Sequence, residues 1–103
     1  MRRYQAVLIL DPDIEEKALS DFREVFNKLL KGAKAENVSE LENDVRDLAH
    51  PIKKRPRARF WRVAFDANPG SVASIKSEIR HDERMLRQMY FSQESGTEIA
   101  QEG

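Results

Sequence analysis

The sequence contains no cysteine, which removes disulfides, thiolate metal ligands and a cysteine nucleophile from consideration. It has two histidines, His50 and His81, and neither stands in a zinc-type pair such as H-E-x-x-H. The four glycines are scattered as Gly32, Gly70, Gly96 and Gly103, and they build no P-loop, no G-x-G-x-x-G and no G-x-S-x-G. No apolar run approaches the roughly 18–20 residues that span a bilayer. The stretch Ala6 to Leu10 is also too short for the apolar core of a secretion signal. The expectation is a soluble intracellular domain with no metal, no cofactor and no membrane association.

What remains is charge. In 103 residues, 18 Lys and Arg balance 18 Asp and Glu, and hydrophobic residues make up 40%. A chain of this length forms one domain with one modest core. The neutral total hides a segregation. Pro51 to Arg62 holds six cations (Lys53, Lys54, Arg55, Arg57, Arg59, Arg62) and no acid. Asp11 to Glu24 instead holds six acids against Lys17 and Arg23, and Glu36 to Asp47 holds five against Arg46. A basic block on a neutral chain points either to one-sided binding of a polyanion or to a solvated loop.

Arg3 to Leu10 reads as a strand that ends in the turn Asp11-Pro12-Asp13. Asp13 with Glu16 forms the pattern of a capping box. Ala18, Leu19, Phe22, Val25, Phe26, Leu29 and Leu30 then recur at helical steps, and Gly32 is placed to close the helix in the left-handed conformation. The next stretch is contradictory. Val38, Leu41, Val45 and Leu48 follow a 3-4-3 spacing, which argues for a helix over Ser39 to Ala49, yet Asn37, Asn43, Asp44, Asp47 and the stop at His50-Pro51 argue against it. Arg57 to Asp66 alternates as a strand, with Trp61, Val63 and Phe65 on one face and Phe60, Arg62 and Ala64 on the other. Asn68-Pro69 starts a short helix marked by Val72, Ile75 and Ile79, which ends near Arg80. Met85 to Phe91 is the last strand. The predicted core is Phe22, Val25, Phe26, Leu29, Trp61, Val63, Val72, Ile75 and Ile79. One domain is expected over 1–94, followed by a polar tail over 95–103.

Catalytic constellations are thin. Asp21 and Glu24 lie opposite the apolar stripe of their helix, as solvated acids do. The basic block is more informative, because Phe60 and Trp61 interleave with its arginines and Pro56 keeps it from being helical. Its aromatics lack the flanking glycines of RNA-stacking motifs, so phosphate and shape recognition is expected more than base stacking.

Four separated segments together resemble one family, bacterial small-ribosomal-subunit protein six. They are Met1-Arg2-Arg3-Tyr4 with Leu8 to Pro12; Leu48-Ala49-His50-Pro51-Ile52 with Lys54, similar to L-A-Y-P-I-x-K; Ala58-Arg59-Phe60; and Asp82 to Met89, D-E-R-M-L-R-Q-M. The chain departs from the family pattern at Asp44 and Asp47, where a Gly and a basic residue are usual, while Arg46 is retained. The resemblance implies an α+β, ferredoxin-like βαββαβ fold: a four-stranded antiparallel sheet with two helices on one face. It makes Ala35 to Ile52 a strand, against the local pattern. It implies a structural, non-enzymatic role, without cofactor, in the small ribosomal subunit of a cytoplasmic ribosome, with an organellar one left open. The partners it implies are the central domain of small-subunit ribosomal RNA and small-subunit protein eighteen. By position, Arg2, Arg3, Tyr4, His50, Lys53, Lys54 and Arg87 become RNA or partner candidates. Charge alone adds Arg55, Arg57, Arg59 and Arg80.

The alternative reading is a dimeric ferredoxin-like regulatory module that binds a small ligand, though the sequence shows no set of convergent polar groups for a pocket. A small phosphatase on this fold is disfavoured by acidic Asp11-Pro12-Asp13, which would repel phosphate.

Overall fold

The computed structural model describes residues 1–92, so the tail expected over 95–103 lies outside the described residues. The elements run β1 (Arg2–Leu10), α1 (Glu16–Gly32), β2 (Glu36–Ile52), β3 (Arg55–Ala67), α2 (Pro69–Ile79) and β4 (Met85–Ser92). The strands form one sheet in the order β2-β3-β1-β4, with every neighbouring pair antiparallel. This is the ferredoxin-like arrangement.

Alternation along the two central strands builds two apolar layers. Tyr4, Ala6, Leu8 and Leu10 of β1 and Trp61, Val63, Phe65 and Ala67 of β3 face the helices and are buried with Leu19, Phe22, Phe26, Leu30, Val72, Ile75 and Ile79. Trp61 takes the edges of two phenyl rings, Phe26 at 5.3 Å and Phe22 at 6.1 Å between centroids. Its indole N–H donates to Glu40 Oε1 at 2.6 Å, and Glu40 also pairs with Arg23 at 2.7 Å, tying α1 to β2. The second layer lies on the sheet face that bears no helix. Val7, Ile9 and Ala58 are buried there, with half-buried Leu48, Ile52, Phe60, Leu86, Met89 and Phe91 packed around them.

The predicted core holds except at its flank. Val25 is 39% exposed and Leu29 only partly buried, because the stripe that α1 turns inward is narrow: Leu19, Phe22, Phe26 and Leu30. The ends of α1 also differ from expectation. Asp13 does not cap the helix. Glu15 occupies the cap position without a side-chain bond, and Asp11 Oδ1 instead accepts from the Asp13 N–H at 2.9 Å within the turn. Asn68 likewise makes no side-chain cap before Pro69. At the other end Gly32 remains helical. The left-handed residue is Lys34, at φ 61°, where the Lys34 N–H bonds Lys31 O and the Ala35 N–H bonds Leu30 O. This pair of bonds is a Schellman closure. A lysine in that conformation carries a Cβ penalty that glycine lacks. Lys34→Gly is therefore expected to raise stability by roughly 0.5–1 kcal/mol in urea titration. A loss instead would mean that the lysine side chain contributes there.

The disputed stretch is a strand. Register shifts between Glu36 and Ser39 and between Glu40 and Glu42 break the two-residue period of β2. Beyond Asp47, opposite Arg57, the ladder is interrupted until Ile52 meets Arg55. Pro51 lies in that gap, where no N–H is required of it.

Between α2 and β4, Arg84 donates from Nε and Nη2 to the two oxygens of Asp82, at 2.9 and 2.6 Å. These bonds hold the Asp82 carboxyl below its ordinary value against the opposing effect of burial. A depressed carboxyl contributes stability above its unfolded value near 4 and loses it as pH falls through the lower folded value. Asp82→Asn should accordingly flatten the loss of stability below about pH 4. An unchanged acid limb in urea titrations at stepped pH would remove Asp82 from that account.

Candidate nucleic-acid interface

Lys53 and Lys54 are the two residues between Ile52 and Arg55, the last paired positions of the β2–β3 hairpin. Their φ values are 49° and 68°. Left-handed φ at both central positions is the pattern of a type I′ turn, usually built from Asn-Gly because its backbone twist matches that of the flanking strands. Lysine at both positions costs on the order of 1–2 kcal/mol per residue against glycine. Both lysines are exposed, and among the described residues neither side chain has an ion-pair or hydrogen-bond partner.

The rest of the basic block is mostly neutralised. Arg55 reaches Asp11 at 2.8 Å, Arg57 reaches Asp47 at 3.1 Å, and Arg62 reaches Glu42 at 3.3 Å. Two of those acids come from the acidic run of β2, which lies antiparallel to β3 and places Asp47 opposite Arg57 and Glu42 opposite Arg62. Asp47, one of the two departures from the family pattern, is thus the counter-ion of a cation in the block. Among the described residues Arg59 has no carboxylate partner. It donates from Nη1 to Asn43 Oδ1 at 2.9 Å, and its Nε is buried without a hydrogen-bond partner among the described residues. Each exposed pair is worth only about 0–1 kcal/mol to folding. Their effect is on the field: the block presents far less free charge than its sequence suggests.

The remaining candidates do not converge on one spot. Leu10 pairs with Arg59 while Arg2 pairs with Ala67, so the hairpin and the N-terminus lie at opposite ends of the sheet. Eight strand residues separate those ends along β1, about 26 Å. Exposed Arg2 and half-buried Arg3 are therefore remote from Lys53 and Lys54. Arg3 also pairs with Asp66 at 3.2 Å and donates to Asn37 O. Asn37 Nδ2 and Arg3 together hold the Asp66 carboxyl below its ordinary value. Tyr4 is no surface candidate: it is 4% exposed in the helix-side core, its ring tilted against Phe65 at 6.1 Å. Strand alternation explains the difference, since Tyr4 shares its face with Ala6 and Leu8. His50 is exposed in the interrupted stretch of β2. Arg80 is exposed at the end of α2 and donates to His81 Nε2 at 3.2 Å. Arg87 is exposed opposite Ile9, so the register sets it on the helix-free face near the hairpin end.

That helix-free face also carries polar groups outside the candidate set. Arg46 lies over the Phe60 ring at 4.4 Å and pairs with Glu42 at 3.0 Å. Arg62 bridges Glu42 and Gln5 beside it. The cross-strand register links these residues, and a linear reading of charge has no access to it.

Residues 3–92 match the family model of ribosomal protein S6. The chain is similar to the small ribosomal subunit protein bS6 of Parabacteroides distasonis, 35% identical over 94 residues, covering 91% of this chain and 80% of that protein. It is also similar to the protein of the same name from Geobacter metallireducens, 31% identical over 88 residues, covering 84% of this chain and 74% of that one. Among solved structures, 30S ribosomal protein S6 from Thermotoga maritima superimposes with a TM-score of 0.78 at 18% identity, covering 91% of this chain and 89% of that one. That likeness shows the fold.

Proposed function

Because the chain belongs to the ribosomal protein S6 family, we propose that it is a structural constituent of the small ribosomal subunit. In that role it binds the central domain of small-subunit ribosomal RNA together with small-subunit protein eighteen. The ribosome is its place, in the cytoplasm for a bacterial cell, and no catalytic step is part of this reading. The observation that carries the RNA contact is the hairpin tip, where two lysines without a side-chain partner among the described residues project from a turn that glycine would form more cheaply. Lysine ammonium groups there can meet phosphate oxygens without first giving up a carboxylate. The neighbouring arginines would have to exchange Asp11 or Asp47 for RNA.

The protein partner has a separate place in this reading. The helix-free face offers Phe60, Leu86, Met89 and Phe91 around buried Val7 and Ile9, an apolar centre with charge at its rim. A neutral chain with a small cluster of free cations supports weak RNA binding alone and tighter binding when a second protein shares the site. Binding of a central-domain RNA fragment, measured with and without protein eighteen across a range of salt, tests the reading. It predicts a ternary complex whose affinity falls with salt and exceeds that of the chain alone. Salt-independent binding, or none in the presence of the partner, contradicts it.

A further inference from the structure

Arg59 is the one arginine of β3 whose charge no carboxylate meets among the described residues, and it is half-buried. A partly desolvated guanidinium without an anion is an unfavourable arrangement unless a ligand supplies one. It lines an open pocket of about 490 Å³ between the first turns of α1 and the stem of the β2–β3 hairpin, with Ser20, Arg23, Asn43 and Glu16 around it. Asn43 fixes one guanidinium nitrogen, Nη1, and the buried Nε has no hydrogen-bond partner among the described residues. Arg23, already paired with Glu40, adds a second guanidinium, and Ser20 adds an exposed hydroxyl. Glu16 is the opposing charge at the mouth. It is exposed, so solvent screens it and its side chain is free to turn away.

The position of the pocket selects the anion. A depression beside the hairpin tip is lined by Lys54, Arg55 and Arg57 together with Asp11 and Asp13, so this flank carries cations with two carboxylates among them, of which exposed Asp13 is screened by solvent. Along that flank Arg55 and Arg57 are held by Asp11 and Asp47, which leaves free positive charge at the tip and at Arg59. Five strand residues separate Lys54 from Arg59, roughly 16 Å. A phosphate-bearing strand laid along the stem would therefore be gripped at two points.

We propose that the Arg59 pocket, completed by Ser20 and Arg23, seats one phosphodiester group of the RNA whose backbone the hairpin tip engages. This rests on the RNA-binding reading above. Two separated grips fix the orientation and register of the RNA, which a flexible lysine pair alone does not. Arg59 presents its fork bidentately, as phosphate recognition favours.

The test compares Arg59→Gln and Arg59→Lys with Lys53→Asn/Lys54→Gly, using the central-domain RNA fragment with protein eighteen present. Arg59→Gln should weaken binding roughly ten-fold or more and make the salt slope shallower by about one unit. Arg59→Lys should restore the slope but only part of the affinity, since it returns the charge without the fork. In wild-type protein the Arg59 side-chain N–H resonance should shift when RNA is added, a readout that holds even if a variant misfolds. Wild-type affinity in Arg59→Gln alongside weakened binding in the lysine variant overturns the pocket and leaves the RNA reading intact. An unmoved Arg59 resonance in the complex does the same. Loss of protein-eighteen binding by Arg59→Gln in the absence of RNA assigns the pocket to the protein partner and likewise overturns it. Full affinity in all variants overturns the pocket and the hairpin-tip contact together, whereas no RNA binding by the wild-type chain with the partner present overturns the RNA reading itself.

Discussion

Phe26→Ala should lower stability by about 3–5 kcal/mol, the range for truncating a buried aromatic. Phe26 is fully buried, belongs to the inward stripe of α1 and meets the Trp61 ring edge-on at 5.3 Å. Its removal opens a cavity between α1 and β3, where Phe22 and Trp61 are already locked against each other. Val25→Ala, one residue earlier, should cost less than about 1 kcal/mol, because Val25 is 39% exposed. Urea titration of the two variants gives the contrast. Similar losses in both would mean that α1 is rotated from its described position. A loss below about 1 kcal/mol for Phe26→Ala would remove it from the core.

The second large effect is a trade between stability and binding at the hairpin tip. Replacing Lys53 with Asn and Lys54 with Gly supplies the residues that left-handed φ values of 49° and 68° favour. Relief of that strain should raise stability by roughly 1–2 kcal/mol. The same change removes two exposed cations, so RNA affinity should fall by about thirty-fold, near 1 kcal/mol per lysine, with a salt slope shallower by about two units. Stability and binding thus move in opposite directions. A variant that is both more stable and equally tight would mean that the lysines are only a solvated turn. A variant less stable than the wild type would mean that the turn is not strained as described.

The contrast between what the residues disclosed and what they concealed has physical causes. Helix α1 was legible because Leu19, Phe22, Phe26 and Leu30 repeat at the period of a helix, and β3 because Trp61, Val63 and Phe65 alternate. Strand β2 was legible only through family resemblance. Its bulges insert extra residues, so Val38, Leu41, Val45 and Leu48 fall at 3-4-3 spacing, and Val38 and Leu41 are exposed rather than on a buried stripe. Local periodicity cannot separate a bulged edge strand from a helix, because both abandon a period of two. The site was half legible. A basic run is visible in one dimension, but its neutralisation by Asp47, Glu42 and Asp11 depends on which strand lies beside which. Folding the sequence back about Lys53-Lys54 in regular register would set Arg57 opposite His50 and Asp47 opposite Phe60; only the register shift between Asp47 and Ile52 brings Asp47 to Arg57. The burial of Tyr4 followed from its own alternation with Ala6 and Leu8, which outranks a positional match to a motif.

Membership of the small subunit through the basic hairpin tip is open to direct measurement. Its most direct test is co-sedimentation of the tagged chain with ribosomal particles from growing cells. The wild-type chain should travel with small subunits at low salt and be released as salt rises, while Lys53→Asn/Lys54→Gly should stay mainly in the particle-free fractions although it is the more stable protein. Wild-type chain confined to the particle-free fractions at every salt concentration would contradict that membership.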